Sequence, residues 1–331
     1  MEKNYNISFI KFIMAILVMF SHSFPITMGK GNNDILYNFS NGSLDFGKLS
    51  VCIFLFFSGY FITKSLNNNS KFKDFFKKRV FRIFPSLFVV LLITVLIVGP
   101  LTTTLNIKDY FFNLSWIKYF IKNMLLITTH TIDGVLQNNI YNESINGSLW
   151  TLPVEFLCYI FSFIAFKMSL CNKDKLKYTF PIFIIGYLLF NTIFNISIIN
   201  TLLPLVSFFY IGMITYTYKD KIKYNGLFTI ICLITLFLSL YFGFYKYICI
   251  LVIPYIVLYL SFGIKNIKIF KHKIFNLSYE IYLLGFLVQQ IICYLFDGKM
   301  NSYLNFGISV IVTIIFSYLV NLISKIIIIK K

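Results

Sequence analysis

Charged residues, and acidic residues above all, are scarce in this chain of 331 residues. Only 13% of the residues are charged, whereas a soluble globular domain carries about 25%. Hydrophobic residues make up 58% of the chain. This composition excludes a soluble globular protein. It predicts an all-α, polytopic membrane protein with a single integral membrane domain over residues 1–331 and no appended soluble domain.

The 12 acidic residues are outnumbered by 30 basic ones, which gives a net charge of +18. An excess of this size can indicate nucleic-acid binding. Here, however, the lysines gather in short loops between apolar stretches. That distribution is the positive-inside pattern of membrane proteins, so the sequence predicts membrane lipid as a partner and no nucleic acid.

Apolar stretches long enough to cross a bilayer as helices, about 17–25 residues each, recur along the chain. Ten spans are predicted, at 7–28, 48–66, 80–99, 148–169, 179–195, 200–217, 225–243, 247–263, 275–296 and 303–325. Both termini are predicted to be cytoplasmic, because most basic residues then lie on the inside. The predicted outer side keeps seven basic residues: Lys30, Lys48, Lys108, Lys118, Lys122, Lys246 and Lys299.

Three further features refine this prediction. Two lysines interrupt the stretch 110–128, which is therefore predicted to be interfacial or re-entrant. The first apolar stretch is too long for a cleavable signal peptide. The six cysteines form no C-x-x-C pair, so they are predicted to be small buried side chains, and no metal site or disulfide is expected.

The first predicted span contains two ionisable residues, Lys11 and His22. Eleven residues make about three helical turns, so both lie on nearly the same face, about 16 Å apart. An ionisable side chain inside a bilayer costs at least about 2.5–3.5 kcal/mol and usually marks a functional path. His22 is the better candidate for a base near neutral pH. The alternative is a hydrogen-bonded histidine near the membrane surface, beside Ser21 and Ser23.

Arginine is nearly absent, and its two occurrences, Arg79 and Arg82, are three residues apart on one helical face. A guanidinium binds phosphate through two parallel hydrogen bonds, which an ammonium group does not reproduce. The pair therefore predicts a phosphate-bearing ligand at the cytoplasmic start of the third span. The alternative is a basic cluster that binds lipid headgroups and sets orientation.

A third polar group begins the fourth predicted span. Ser148, Thr151 and Glu155 share one helical face, and Glu155 lies about one turn inside the membrane. An ionised carboxylate at that depth needs a partner, and His22 is predicted at a similar depth. The alternative is a capped helix start with Ser148 as N-cap and Trp150 at the membrane interface, which leaves Glu155 unexplained.

These residues fall within five ordered motifs that resemble those of the acyltransferase 3 family, over about residues 7 to 290. The motifs are Lys11-x10-His22, Phe54-Leu-Phe-Phe-Ser58-Gly59-Tyr60-Phe-Ile62, Arg79-Val-Phe-Arg82-Ile-Phe-Pro85, Leu149-Trp150-Thr151-Leu152-Pro-Val-Glu155 and Ser278-Tyr279-Glu-Ile-Tyr282-Leu283. The chain departs from the family twice. Lys11 stands where the family carries arginine, and Gly285 replaces a frequent histidine.

The resemblance implies transfer of an acyl group, most simply acetyl from acetyl-CoA, to a hydroxyl of a cell-surface glycan or lipid-linked saccharide. The enzyme would be a multi-pass protein of the inner or plasma membrane, with acyl-CoA as donor substrate and no bound cofactor. His22 would act as general base or as transient acyl carrier. The predicted site residues are His22 and Glu155 for catalysis, Lys11, Arg79 and Arg82 for acyl-CoA, and Ser58, Tyr60, Ser148, Trp150, Thr151, Tyr279 and Tyr282 for the acceptor or the channel lining.

Two other classes of function remain open at this stage. A transporter or flippase for a glycan or lipid-linked sugar also needs intramembrane polar groups and a cationic mouth. A structural or partner-binding membrane protein would tolerate substitution of His22 and Glu155. Incorporation of label from acetyl-CoA into glycan distinguishes the enzyme from both.

Overall fold

The computed structural model describes residues 4–68, 71–193 and 197–329, and its architecture is all-α. The helices are α1 (Tyr5–Met28), α2 (Ile35–Phe39), α3 (Phe46–Asn68), α4 (Phe72–Ile93), α5 (Gly99–Thr102), α6 (Ile107–Phe112), α7 (Ser115–Met124), α8 (Thr151–Lys167), α9 (Lys173–Ile193), α10 (Ser197–Thr217), α11 (Gly226–Tyr241), α12 (Tyr245–Leu258), α13 (Ser278–Leu295) and α14 (Ser302–Ile329). Short π-helical segments, Thr94–Val98 and Tyr259–Gly263, follow α4 and α12.

Every predicted span overlaps one of these helices, and the protein is a multi-pass membrane protein. Six helical segments of the described chain are long and apolar enough to cross a membrane: Tyr5–Met28, Phe46–Asn68, Phe72–Thr102, Tyr245–Gly263, Ser278–Leu295 and Ser302–Ile328. The count of ten spans and the orientation of the termini stay predictions. Residues 194 and 195 of the predicted span 179–195 lie outside the described residues.

The interrupted stretch 110–128 forms no single long helix. It holds the end of α6 and all of α7, whose ten residues extend about 15 Å, half the hydrocarbon thickness of a bilayer. The Asn123 side chain closes α7, because its amide donates to the carbonyls of Tyr119 at 2.9 Å and Thr129 at 3.0 Å. Placement of this segment at the membrane interface stays a prediction.

The third span begins earlier than its apolar pattern predicts. The sequence places its start near residue 80, but α4 begins at Phe72. Asp74 in the first turn complements the positive end of the helix dipole, and none of the intervening residues breaks a helix. Arg79 and Arg82 therefore lie in the second and third turns of α4, not at its first residues.

The chain divides into two compact units, each assembled from three segments. The first unit comprises Met1–Lys11, Ile35–Phe75 and Val154–Lys271, and the second comprises Phe12–Asp34, Phe76–Pro153 and His272–Lys331. The single integral domain expected from the sequence stays a prediction.

In the first unit, α3 and α10 cross at a pair of glycines. A Cβ on Gly59 would overlap the backbone carbonyl of Phe209, and a Cβ on Gly212 would overlap that of Phe56. Small residues at helix crossings let two backbones approach closely, which is how helices associate in lipid. The Ser58-Gly59 pair of the second motif is therefore fixed partly by this crossing.

In the second unit, α13 and α14 pack through buried polar side chains. The Asn305 amide donates to the carbonyl of Gln289 at 3.1 Å, and the Gln289 amide donates to the carbonyl of Met19 on α1 at 2.8 Å. Both side chains are completely buried. Hydrogen bonds of this kind join helices where water is absent.

Replacement of Gly212 by alanine is expected to lower the free energy of unfolding by at least about 1–3 kcal/mol, because the new methyl group meets backbone and not a movable side chain. Thermal unfolding in detergent measures this change. Gly186→Ala is the matched control, since no atom lies within 4 Å of the added Cβ. Equal unfolding temperatures for the two variants would contradict the close approach of α3 and α10 at Gly212.

Candidate functional site

His22 lies on α1 in the second unit, half-buried against an aromatic ring. The imidazole meets the ring of Phe286 on α13 edge-to-face, with 5.0 Å between the centroids. Phe286 in turn contacts Tyr141, at 5.9 Å between centroids. Burial raises the pKa of the Tyr141 phenol, so this neighbour stays neutral at physiological pH. The Phe286 ring therefore packs against the imidazole, and His22 remains partly exposed.

Asp34 is a carboxylate of the same unit, in the loop that follows α1. Its side chain is completely buried. A carboxylate beside a histidine stabilises the imidazolium that forms when the histidine accepts a proton. Sequence reasoning did not single out Asp34, because it follows α1 in a polar loop where an acidic residue is unremarkable.

Two of the sequence motifs meet directly in the second unit. The Tyr282 hydroxyl donates to the carbonyl of Ser148 at 2.9 Å and lies 2.6 Å from the Thr151 hydroxyl. The Asn146 amide donates to the carbonyl of Leu283 at 2.8 Å. The start of α8 and the first turns of α13 are therefore joined by hydrogen bonds between motif residues.

Gly147 and Ser148 stand at this junction. A Cβ on Gly147 would lie 2.6 Å from the Phe286 ring, so the ring that contacts His22 also covers this glycine. The Ser148 hydroxyl is buried and has no hydrogen-bond partner in the part of the chain that the structure describes. The predicted helix start at residue 148 is wrong by three residues, because Asn146 caps the Ser148 backbone N–H in a turn and α8 begins at Thr151.

Comparison with known proteins agrees with the motifs. A family model described as an acyltransferase domain, that of acyltransferase 3, matches residues 4–322. The chain belongs to the acyltransferase 3 family. The protein is accordingly an acyltransferase, and the family resemblance seen in the sequence is confirmed.

Two curated relatives of this acyltransferase carry informative names. An O-acetyl transferase of Shigella phage Sf6 is 26% identical over 292 residues, which cover 85% of the chain and 84% of the relative. Nodulation protein 10 of Rhizobium leguminosarum bv. viciae is 31% identical over 169 residues, 47% of the chain and 42% of the relative. No solved structure is significantly similar to the chain.

Gly285 stands where the family resemblance leads us to expect a histidine, and the structure shows a steric reason for glycine. A Cβ on Gly285 would lie 2.6 Å from Cγ of Met19 on α1. Met19 is almost completely buried, so its side chain occupies the space into which a residue at position 285 would project. A histidine at this position would require Met19 to move.

The two arginines of the acyltransferase differ in exposure. Arg79 is 7% exposed, whereas Arg82 is exposed to solvent. The Tyr279 hydroxyl donates to the carbonyl of Ile83 at 2.9 Å, which fastens α13 to α4 beside Arg82. The spacing of the two arginines predicts that they share one helical face. Of the two, Arg82 is exposed and Arg79 is packed inside the protein.

Glu280 is a buried carboxylate that sequence reasoning left without a role. It is 5% exposed and accepts hydrogen bonds from Ser86 at 3.2 Å and Asn321 at 2.9 Å. These contacts join α13 to α4 and α14. The criterion that selected Lys11, His22 and Glu155, an ionisable residue inside an apolar span, also selects Glu280.

In the first unit, Lys11 lies over two aromatic rings of α3. Its ammonium nitrogen is 5.2 Å from the centroid of Phe57 and 4.9 Å from that of Phe61. Cation–π attraction stabilises a charge that is removed from bulk water. This contact needs a cation but no planar fork, which explains how lysine substitutes for the family arginine here.

Glu155 finds its partners within the first unit. The Ser58 hydroxyl donates to the carboxylate at 2.8 Å, and the Tyr159 hydroxyl also donates to it. Two motif residues, Ser58 and Glu155, are thereby brought together, which the sequence did not predict. The pairing of Glu155 with His22 stays a prediction.

The two remaining candidates are aromatic. Tyr60 is 8% exposed, with its ring centroid 5.1 Å from that of Tyr216 and 5.5 Å from that of Phe262. Trp150 is partly exposed in the turn before α8. Tyr60 thus forms part of an aromatic cluster in the first unit, and its contact with an acceptor stays a prediction.

Proposed function

We propose that this acyltransferase moves an acetyl group from acetyl-CoA to a hydroxyl of a cell-surface glycan or of its lipid-linked precursor. The observation that carries the proposal is the half-buried His22 on α1, whose imidazole packs against Phe286 in the unit that also holds the buried carboxylate of Asp34. The similarity to a phage O-acetyl transferase along most of both chains supports oxygen as the accepting atom.

In the proposed reaction, the acceptor hydroxyl attacks the thioester carbonyl. A C–O bond forms, the C–S bond breaks, and His22 takes the hydroxyl proton as general base. The imidazolium then protonates the departing thiolate, so the donor leaves as free CoA and the enzyme regains its starting state. Asp34 stabilises the imidazolium between these two proton transfers.

The donor is proposed to bind through its phosphates. Arg82 is exposed and Arg79 lies one turn away on the same helix, and a guanidinium is suited to bidentate hydrogen bonds with phosphate. Lys11 would add positive charge on the donor path. Ser148, whose buried hydroxyl lacks a partner among the described residues, is proposed to contact the acceptor. The membrane is proposed to be the inner or plasma membrane, with acetyl-CoA entering from the cytoplasm.

Replacement of His22 by alanine is expected to lower the rate of acetyl transfer by about 10²–10⁴-fold, the usual contribution of a general base. Membranes that contain the variant are incubated with labelled acetyl-CoA, and label on glycan is measured. His130→Ala is the matched control, because His130 is an exposed loop histidine beside Ser144. Full transfer by His22→Ala would exclude the mechanism, and movement of lipid-linked sugar without labelling would indicate a transporter.

Isosteric variants show which of two carboxylates, Asp34 or Glu155, acts with His22. Asp34→Asn is expected to lower kcat about 10–100-fold with little change in KM, because the imidazolium loses a buried charge. Glu155→Gln keeps its hydrogen-bonding shape beside Ser58 and Tyr159 and is expected to have a smaller effect. The reverse order of the two effects would support Glu155 as the partner of His22.

Arg82→Lys is expected to weaken acetyl-CoA binding by about 10-fold or more, because charge is kept while the bidentate geometry is lost. Arg79→Lys is expected to weaken binding and also to lower the unfolding temperature, since Arg79 is buried. Donor binding to purified protein and thermal unfolding are measured together. Lys78→Gln, which removes an exposed charge from the same helix, is the control. Unchanged donor binding in both arginine variants would exclude the assignment.

A further inference from the structure

A cavity of about 200 Å³ lies within the first unit, at the N-terminal ends of α3 and α12. It is separate from the residues assigned above to catalysis and donor binding. Its polar lining consists mainly of Lys48, Lys246, Tyr187, Tyr245, Asn191 and Asn200.

The charge of this cavity is positive. Two lysines line it, and none of the described residues that line it is acidic. The nearby carboxylate of Asp45 accepts a hydrogen bond from the backbone N–H of Lys48 at 2.6 Å, so it caps the start of α3. Both lysines belong to the seven basic residues that the sequence predicts on the outer side, where basic residues are otherwise disfavoured.

The wall of the cavity is held in place by internal hydrogen bonds. The buried Tyr187 hydroxyl donates to the carbonyl of Lys246 at 2.8 Å, and the Asn191 amide donates to the carbonyl of Tyr187 at 2.8 Å. These contacts connect α9 to the first turn of α12. The cavity is therefore lined by helices that are held in place, and two of these helices carry its lysines.

The start of α12 adds to the positive potential. Its N-cap residue is Phe244, whose hydrocarbon side chain cannot accept a hydrogen bond from the first turn. Tyr245 and Lys246 of that first turn line the cavity. The N-terminal end of a helix carries partial positive charge and favours an anion.

We propose that this cavity binds an anionic group, a carboxylate or a phosphate, on the saccharide acceptor. The inference rests on the proposed function and specifies its acceptor as an acidic saccharide or one that carries phosphate. The lysines would neutralise the anion, and the N-terminal end of α12 would add partial positive charge. The volume is below the roughly 300–1,000 Å³ of pockets for drug-sized ligands, so one acidic group would enter while the rest of the saccharide stays outside.

The anion has two possible sources, an acidic sugar of the glycan or the phosphate of a lipid-linked precursor. Three probes distinguish them on the full-length protein purified in detergent: an oligogalacturonate, which carries carboxylates, inorganic pyrophosphate, and a neutral maltooligosaccharide. Binding is measured by titration calorimetry at low and high salt. We expect one of the anionic probes to bind, with an affinity that falls as salt rises, and the neutral probe to bind far more weakly.

Lys48→Gln and Lys246→Gln are each expected to weaken binding of that probe about fivefold to tenfold, whereas Lys48→Arg keeps the charge and most of the affinity. Lys299→Gln, an exposed lysine predicted on the same side, is the control and is expected to change nothing. Lys246 is exposed, so its substitution leaves folding intact, and an unchanged unfolding temperature verifies this.

The outcomes separate this inference from the proposed function. Oligogalacturonate binding that depends on the lysines supports an acidic glycan, and pyrophosphate binding that depends on them supports a lipid-linked precursor. If neither anion binds, or if both glutamine variants bind like the unaltered protein, the inference is wrong even where acetyl transfer is intact. If the anion binds through the lysines but no acetyl reaches any glycan, the proposed function fails and the anion site stands.

Discussion

Each ionisable group placed among apolar helices must find its partner within the protein, and the rest of this structure depends on that constraint. Water is not available to solvate a carboxylate or an ammonium group inside a bilayer, so helices, rings and hydroxyls take its place. Glu155 accepts from Ser58 and Tyr159, Glu280 from Ser86 and Asn321, and Lys11 lies on two phenylalanine rings. These contacts bring together helices that are distant in sequence.

The same constraint explains why the family motifs consist of small, aromatic and hydroxyl-bearing residues around a few charges. Gly59 lets two backbones approach, while its neighbour Ser58 holds a carboxylate. Tyr282 joins the start of α8 to α13 through two hydrogen bonds. A motif residue can therefore be fixed by structure, by chemistry or by both, and the motif alone does not say which.

Much of the fold was predictable because hydrophobic length is a strong signal in a membrane protein. The predicted spans 7–28 and 275–296 correspond closely to α1 and α13. Hydropathy did not predict the start of α4, because the first turns of this helix carry charged side chains although their backbone is already helical. Among the site residues, His22 and Glu155 could be chosen as candidates from the sequence, because an ionisable side chain is costly inside lipid. Asp34 gave no such signal, because its burial is decided by the packing around it.

The sequence by itself determined the family and the all-α class, and it predicts which residues carry out acyl transfer. Composition and ordered motifs are properties of the chain, and they survive without knowledge of contacts. Tertiary structure decided which partner each group has. It gave Glu155 two hydroxyls, buried Asp34, filled the space beside Gly285 with Met19, and gathered Lys48 and Lys246 at one cavity. The physical reason is that partnership depends on distance in space, and helix packing brings together residues that spacing along the chain keeps apart.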